Sequence, residues 1–435
     1  MQTDAAAAPV TLADWLEYQQ RVHPRAIELG LERVREVWQR LGAPAPAPVV
    51  ITIGGTNGKG STVAFLEAML GAAGQRVGAY TSPHLLRYNE RVRVLGVDAG
   101  DDALVEAFAR IEAVRGDIAL TYFEYGSLAA LWIFAHSALD VALLEVGLGG
   151  RLDAVNIVDA DAAIVTTIDL DHQDWLGNDR DSIGREKAGV FRAGRPAIVG
   201  ESDPPVALLD AAHRIGADLR LAGRDFDFER TTAHGWHWHA GAVNLALPPP
   251  QLAAPAQRAN AAAAIAALHA LRARIGWNPA AIAAGVANAR IGARLQRFGG
   301  DPALIVDVAH NPQAARMLAD WLRTAPAAGR TLAVFGALGD KDVAGIVGAL
   351  AGVVDVWFLG GLEHDSPRGL GVEALAALAL APLAHAQVDA HERIDAALAA
   401  AWAAARRGDR VIAFGSFFVA AAALQFAQSR GLATD

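Results

Sequence analysis

Residues 51–70 read ITIGGTNGKGSTVAFLEAML, an apolar run that breaks into glycines around one lysine and two hydroxyls. A strand, a glycine turn, a lysine and then a helix form a physical recipe for gripping polyphosphate. Amides of the turn and free N–H groups at the helix start face the anion, while the lysine adds a mobile charge. Here Gly58-Lys59 is followed by Gly60 and only then by Ser61, so a strict Gly-Lys-Ser/Thr pattern is not met. The extra glycine can lengthen the turn, leaving Ser61 to open a helix over 61–72 near magnesium-bearing phosphates. The plainer alternative is a glycine-rich turn with a solvated lysine.

Three other polar groups follow short apolar runs. Glu145 closes DVALLE, Ser82 lies in AYTSPHLLRYNERV, and His172 lies in DLDHQDW after AAIVTTIDL. In open parallel sheets, ligands gather beyond the carboxyl ends of strands. A carboxylate and a hydroxyl there suit a hard cation. Each also has a plainer role: a cap or ion-paired edge for Glu145, a structural histidine for His172. His234, His237 and His239 in HGWHWHA alternate at strand spacing, but no phosphate-linked segment lies near them, so metal binding there is set aside.

The elements that must position these groups alternate between short β runs and helices. Two helical segments occupy 11–42, VVITIGG precedes the glycine turn, a helix covers 122–137, and DVALLEVGLGG and 162–170 follow as strands. This pattern predicts an α/β fold: an N-terminal P-loop ATPase-like domain with a mainly parallel sheet. Around 225–250 the period falls to two, which predicts a small hairpin excursion. After about residue 292 the alternation begins afresh in ALIVDVAH, TLAVFGAL, VVDVWFLGG and DRVIAFGS, predicting a smaller, Rossmann-like C-terminal α/β domain. The expected division is 1–292 and 293–435.

The chain has 435 residues, a formal charge of −9 and no cysteine. Disulfides and thiolate metal sites are therefore excluded, and the acidic balance argues against a nucleic-acid partner. The apolar stretches are alanine-rich and interrupted, which argues against a membrane partner. The start MQTDAAAAPVTLADW lacks a basic segment ahead of an apolar core, so a cytoplasmic location is expected.

Longer phrases narrow the reading. LGLERV near 30–34, GGTNGKGST at 54–62, YTSPHLLRYNERVRV at 80–94, LTYFEYGSLAALW at 120–132, LEVGLGGRLDAVNIVD at 144–159, DLDHQDWLGNDRDSIGREKAGVFR at 169–192, IVDVAHNPQAAR at 305–316 and GDKD at 339–342 together span the chain. With these, the sequence resembles the bifunctional dihydrofolate synthase/folylpolyglutamate synthases of the Mur ligase superfamily. The resemblance implies a monomeric ATP-dependent amide ligase using two Mg2+ ions. Its small-molecule partners would be dihydropteroate, reduced folates and L-glutamate.

By resemblance, Lys59 would contact the β and γ phosphates, with Thr56, Asn57, Gly58, Gly60 and Ser61 shaping the loop. Ser82 and Glu145, near Ser61, would hold one magnesium and His172 the other. Lys187 would be the family's carbamylated lysine, although GREKAG alone reads as a solvated lysine balanced by Glu186. Asn260 would contact adenine, Arg294 the phosphates, and Asp307 with His310 the nucleotide. Thr121, Phe123, Asp153 and Ala154 match the pterin-binding region. Where the family commonly has Pro-Gly-Arg, this chain has Gly292-Ala293-Arg294, which implies an altered hinge. Rival readings are a nucleoside kinase, a switch-type NTPase and, within the family, a folylpolyglutamate synthase lacking the dihydropteroate reaction.

Overall fold

The computed structural model describes residues 9–23, 25, 27–232 and 235–434. By packing, the chain forms two compact units. The first comprises Met1–Ile168, Asn178–Pro249 and Ala259–Ala289, and the second comprises Asp169–Gly177, Pro250–Arg258 and Arg290–Asp435. Two short segments from the first 292 residues thus pack with the C-terminal unit, which a contiguous division of the chain does not capture.

The first unit is built on an eight-stranded sheet. From edge to edge its strands are Val97–Asp98, Val92–Val94, Val77–Tyr80, Val141–Glu145, Val49–Gly54, Ala162–Val165, Pro196–Val199 and Asp218–Leu221. The last six run parallel to one another, and the first two are antiparallel additions. Its central strands are buried without interruption, as a sheet covered on both faces requires. Branched residues such as Ile51, Ile53 and Ile164 fill this core.

The hairpin excursion is a three-stranded antiparallel sheet of Asp227–Thr232, Gly235–Ala240 and Val243–Leu247. Trp236 and Trp238 are fully buried from one face of its middle strand. His237 and His239 take the alternate positions, opposite Glu229 and Asp227. His234 lies outside the described residues.

The second unit carries a six-stranded sheet in the order Gln296–Phe298, Ala303–Val306, Arg410–Phe414, Thr331–Phe335, Val356–Gly360 and Gln387–His391. All pairs are parallel except the first. Phe335, Trp357 and Phe414 pack edge and face with centroids 5.2–6.2 Å apart, a spacing that favours aromatic pairs.

Candidate active site

The phosphate loop leaves the fully buried strand Val49–Gly54 and turns at Gly58. Gly58 has φ 88°, and a Cβ there would stand 2.4 Å from Asn260 Oδ1. Conformation and space therefore both demand glycine. That turn starts the helix Lys59–Ala72 at Lys59, two residues earlier than expected, so Ser61 lies within its first turn. Asn260, expected at the adenine, has its side chain against the loop.

The loop is held from outside by two threonines that sequence reasoning did not select. Thr56 N donates to Thr167 O (2.7 Å), Asn57 N to Thr167 Oγ1 (3.0 Å), and Thr166 Oγ1 to Asn57 O (2.6 Å). Their role also explains why the strand Ala162–Val165 is shorter than the expected run to 170. The signal was present as a pair of hydroxyls directly after an apolar strand.

Lys59 Nζ donates to Gly55 O (3.0 Å) and Thr56 O (3.1 Å), which curls its ammonium over the loop. Ser61 Oγ is buried without a hydrogen-bond partner among the described residues. Such a group costs about 1–3 kcal/mol unless something binds it. In the sheet, Ile53 of the strand that enters the loop pairs with Glu145, whose buried carboxylate accepts a hydrogen bond from Ser82 N at 3.1 Å. Among the described residues no group of three His, Asp or Glu side chains is placed to hold a metal. The candidates are instead two hydroxyls, Ser61 and Ser82, and one carboxylate. That oxygen set fits a magnesium ion that keeps several waters and binds phosphate.

Lys187 ends the helix Arg180–Lys187 and is 3% exposed. Glu186 pairs instead with Arg151 at 2.9 Å. The picture of a solvated lysine balanced by Glu186 is therefore corrected.

Thr121 caps the helix Tyr122–Ala135: its Oγ1 accepts Glu124 N, and Glu124 Oε2 accepts Thr121 N. This box fixes the helix start and hence the position of Phe123. The Phe123 ring lies over Gly147, where a Cβ would meet it at 2.5 Å, and 6.0 Å from the Tyr80 ring. Asp153, followed by buried Ala154, accepts Leu148 N (2.8 Å) and Val155 N (3.1 Å). Burial pushes its carboxyl up to about 6, against the pull of those amides and the charge of Lys59. A flat ring over a glycine, next to a buried carboxylate, suits a heterocycle with N–H donors.

Next to Phe123, the Tyr122 and Tyr88 rings meet edge-on at 5.7 Å, and the Arg91 guanidinium lies over both. Arg91 Nε donates to His84 Nδ1 at 2.9 Å. Burial and the neighbouring Arg91 charge lower the His84 pKa to about 4, which keeps that nitrogen an acceptor. Sequence reasoning singled out neither Arg91 nor the tyrosines.

Within the second unit, Asp171 brings together two of the predicted groups, His172 and His310. Its side chain meets Lys341 Nζ (2.7 Å), His310 Nε2 (3.6 Å), His172 Nε2 (3.9 Å) and Asn311 Nδ2 (3.4 Å). Burial alone would raise its pKa, but His310, His172 and Lys341 outweigh burial and hold it below the usual carboxylate range. Asp307 accepts Leu295 N and Ala309 N, each at 2.8 Å. Burial raises its pKa against the nearby Arg294 charge. The Arg294 guanidinium lies 5.6 Å from the Phe417 ring centroid, and the His310 ring 6.1 Å from the same ring. Ala293 and Leu295, on either side of Arg294, have φ 54° and 48°. Side chains other than glycine rarely adopt that region.

Residues 293–417 match the family described as Mur ligase, glutamate ligase domain. Over 432 residues the chain is 48% identical to the dihydrofolate synthase/folylpolyglutamate synthase of Escherichia coli (strain K12), covering 99% of this chain and 98% of that protein. An E. coli FolC structure in complex with DHPP and ADP superposes with a TM-score of 0.91 at 47% identity, over 99% of this chain and 100% of that one. A bifunctional folylpolyglutamate synthase/dihydrofolate synthase from Yersinia pestis, complexed with AMPPNP and Mn ion, gives a TM-score of 0.87 at 46% identity, over 99% and 100%. No helix among the described residues is long and apolar enough to cross a membrane.

Proposed function

Because the chain belongs to the dihydrofolate synthase/folylpolyglutamate synthase family of Mur ligases, we infer that it is an ATP-dependent amide ligase. It joins L-glutamate to dihydropteroate, giving dihydrofolate, and to reduced folates. One observation carries this reading beyond similarity: Glu145 pairs with Ile53 of the strand that enters the phosphate loop, and two residues beyond Glu145 the Phe123 ring packs against Gly147. The phosphate loop and the flat-ring pocket are therefore neighbouring parts of one site in the first unit. Phe123 and Asp153 also favour the dual enzyme over a polyglutamylase that lacks the dihydropteroate step.

Amide formation in water needs the carboxylate oxygen turned into a leaving group. The γ-phosphoryl of ATP passes to the substrate carboxylate, giving an acyl phosphate and ADP. The glutamate α-amine then attacks that carbonyl, and the tetrahedral intermediate expels phosphate. The backbone amides of residues 58–61 and the Lys59 ammonium stabilise charge on the moving phosphoryl group, while the Thr56 and Asn57 amides hold the loop to Thr167. No side chain has to act as a covalent nucleophile.

Magnesium would be held by Ser61, Ser82 and Glu145, with His172 proposed for a second ion; it supplies charge neutralisation on the phosphates. We propose that Lys187 is carbamylated, since an ammonium has no lone pair for a metal. Arg294, Asp307 and His310 are proposed as the nucleotide-contacting group of the second unit, and Asn260 as an adenine contact. The boundary near residue 293, a monomeric state and a cytoplasmic location belong to the same proposal. The test is whether dihydropteroate gains one glutamyl residue only when ATP and L-glutamate are both present.

A further inference from the structure

Two arginines of the molecule, Arg91 and Arg410, are buried to the same degree, each 8% exposed. Arg410 spends its guanidinium on the protein: Nε donates to Thr331 Oγ1, and Nη1 and Nη2 donate to Ala325 O and Leu322 O. Arg93, two residues from Arg91, is also fully engaged, with Glu67, Thr81 and Glu90 O. Arg91 differs. Only its Nε donates, to His84 Nδ1 at 2.9 Å, and among the described residues neither Nη nitrogen has a hydrogen-bond partner and no carboxylate pairs with it. The guanidinium carbon lies over the Tyr88 and Tyr122 rings, 5.4 and 5.6 Å from their centroids. A buried cation fixed at one end, with its planar fork unmet, is prepared for an anion with two coplanar oxygens.

The position says which anion. Arg91 is held beside Tyr122, which precedes Phe123 in the flat-ring pocket, and its charge reaches Tyr80, which packs on Phe123. His84 lies two residues beyond Ser82, so the same segment joins Arg91 to the proposed metal ligands. A fork clamped on the reacting carboxylate would withdraw electron density from the oxygen that must attack phosphorus. The second, non-reacting carboxylate of the substrate suits it better. A folate that already carries glutamate has such a group, the α-carboxylate beside the reacting γ-carboxylate, and dihydropteroate has none. Resting on the function proposed above, we propose that Arg91 binds the α-carboxylate of the terminal glutamate on folate substrates. It is thereby a specificity residue for chain extension and not for dihydrofolate formation.

The test compares wild type, Arg91→Gln and Arg91→Lys on dihydropteroate, on a tetrahydrofolate monoglutamate, and on the same folate with its α-carboxylate converted to carboxamide. Losing a charge-assisted pair predicts that Arg91→Gln raises KM for the monoglutamate on the order of 30-fold. Dihydropteroate KM and kcat stay near wild type, and Arg91→Lys, which keeps the charge without the fork, falls between. Wild type should lose affinity for the carboxamide by a similar factor, whereas Arg91→Gln should not distinguish the two folates. The wild-type carboxamide measurement stands even where a variant folds poorly. Equal wild-type KM values for acid and amide, or a variant that weakens dihydropteroate as much as the monoglutamate, would overturn the assignment. A wild-type protein that glutamylates neither substrate would instead overturn the functional reading itself.

Discussion

Lys341 Nζ stands 2.7 Å from Asp171 Oδ1, and the two side chains are 6% and 8% exposed. The pair joins the segment Asp169–Gly177 to the body of the second unit, 170 residues away in the chain. Asp340 lies 3.3 Å from Lys341 on its other side. Breaking a buried pair by removing one partner leaves an uncompensated charge, which costs far more than losing a surface bridge.

Lys341→Met should therefore destabilise the second unit by about 3 kcal/mol, the low end for buried pairs because His310 and His172 still face Asp171. Urea melts read this, and Asp171→Asn in the Lys341→Met background should restore part of the loss. A single variant with a wild-type melt would show that the pair carries no net stability.

Lys59→Ala should abolish turnover while the fold persists. The loop keeps its anchors to Thr166 and Thr167, while the bonds from Nζ to Gly55 O and Thr56 O are lost. Because the charge acts on the moving phosphoryl group, the loss belongs in kcat more than in KM. Circular dichroism beside steady-state kinetics separates this from a structural role, in which a lower melting temperature would accompany unimpaired chemistry in the folded fraction.

Burial pushes the Asp153 carboxyl up to about 6, so on acidification it takes its proton well before an ordinary aspartate would. Protonated, it can no longer accept from two ring N–H donors. Dihydropteroate affinity should thus be flat above about pH 7 and fall as the pH drops through about 6. Calorimetry across this range checks the sign. Asp153→Asn should bind weakly at every pH, and a wild-type affinity that rises on acidification would remove Asp153 from the pocket.

The local features of the site were legible in the sequence because neighbours in the chain create them. The glycine turn, Lys59 and Ser61 follow one another, and Glu145 marks its strand end. The hairpin was legible from its period of two. What was not legible depends on distant partners. GDKD was recognised as a phrase, but nothing near residue 341 points to Asp171. The role of Arg91 lies in bonds it does not make, which only the packed structure reveals. The strand Gln387–His391 was not legible because it is a short, mostly exposed edge strand in which Val388 and Ala390 are the only apolar residues.

Lys187, 3% exposed at a helix C-terminus, should carry one CO2 in the active enzyme. Labelled CO2 should give a carbamate resonance that Lys187→Ala lacks, and small carboxylates should partly restore that variant's activity. An unmodified amine in a crystal grown with ATP and magnesium near neutral pH, or full activity in Lys187→Ala, would contradict this.

The most direct measurement incubates the purified chain with dihydropteroate, ATP, Mg2+ and L-glutamate, and follows products by mass spectrometry alongside phosphate release. The account predicts a dihydropteroate product heavier by one glutamyl residue, with one phosphate released per bond and none when either glutamate or the pteroate is omitted. Phosphate release that ignores glutamate, or extension of tetrahydrofolates with dihydropteroate never consumed, would contradict it.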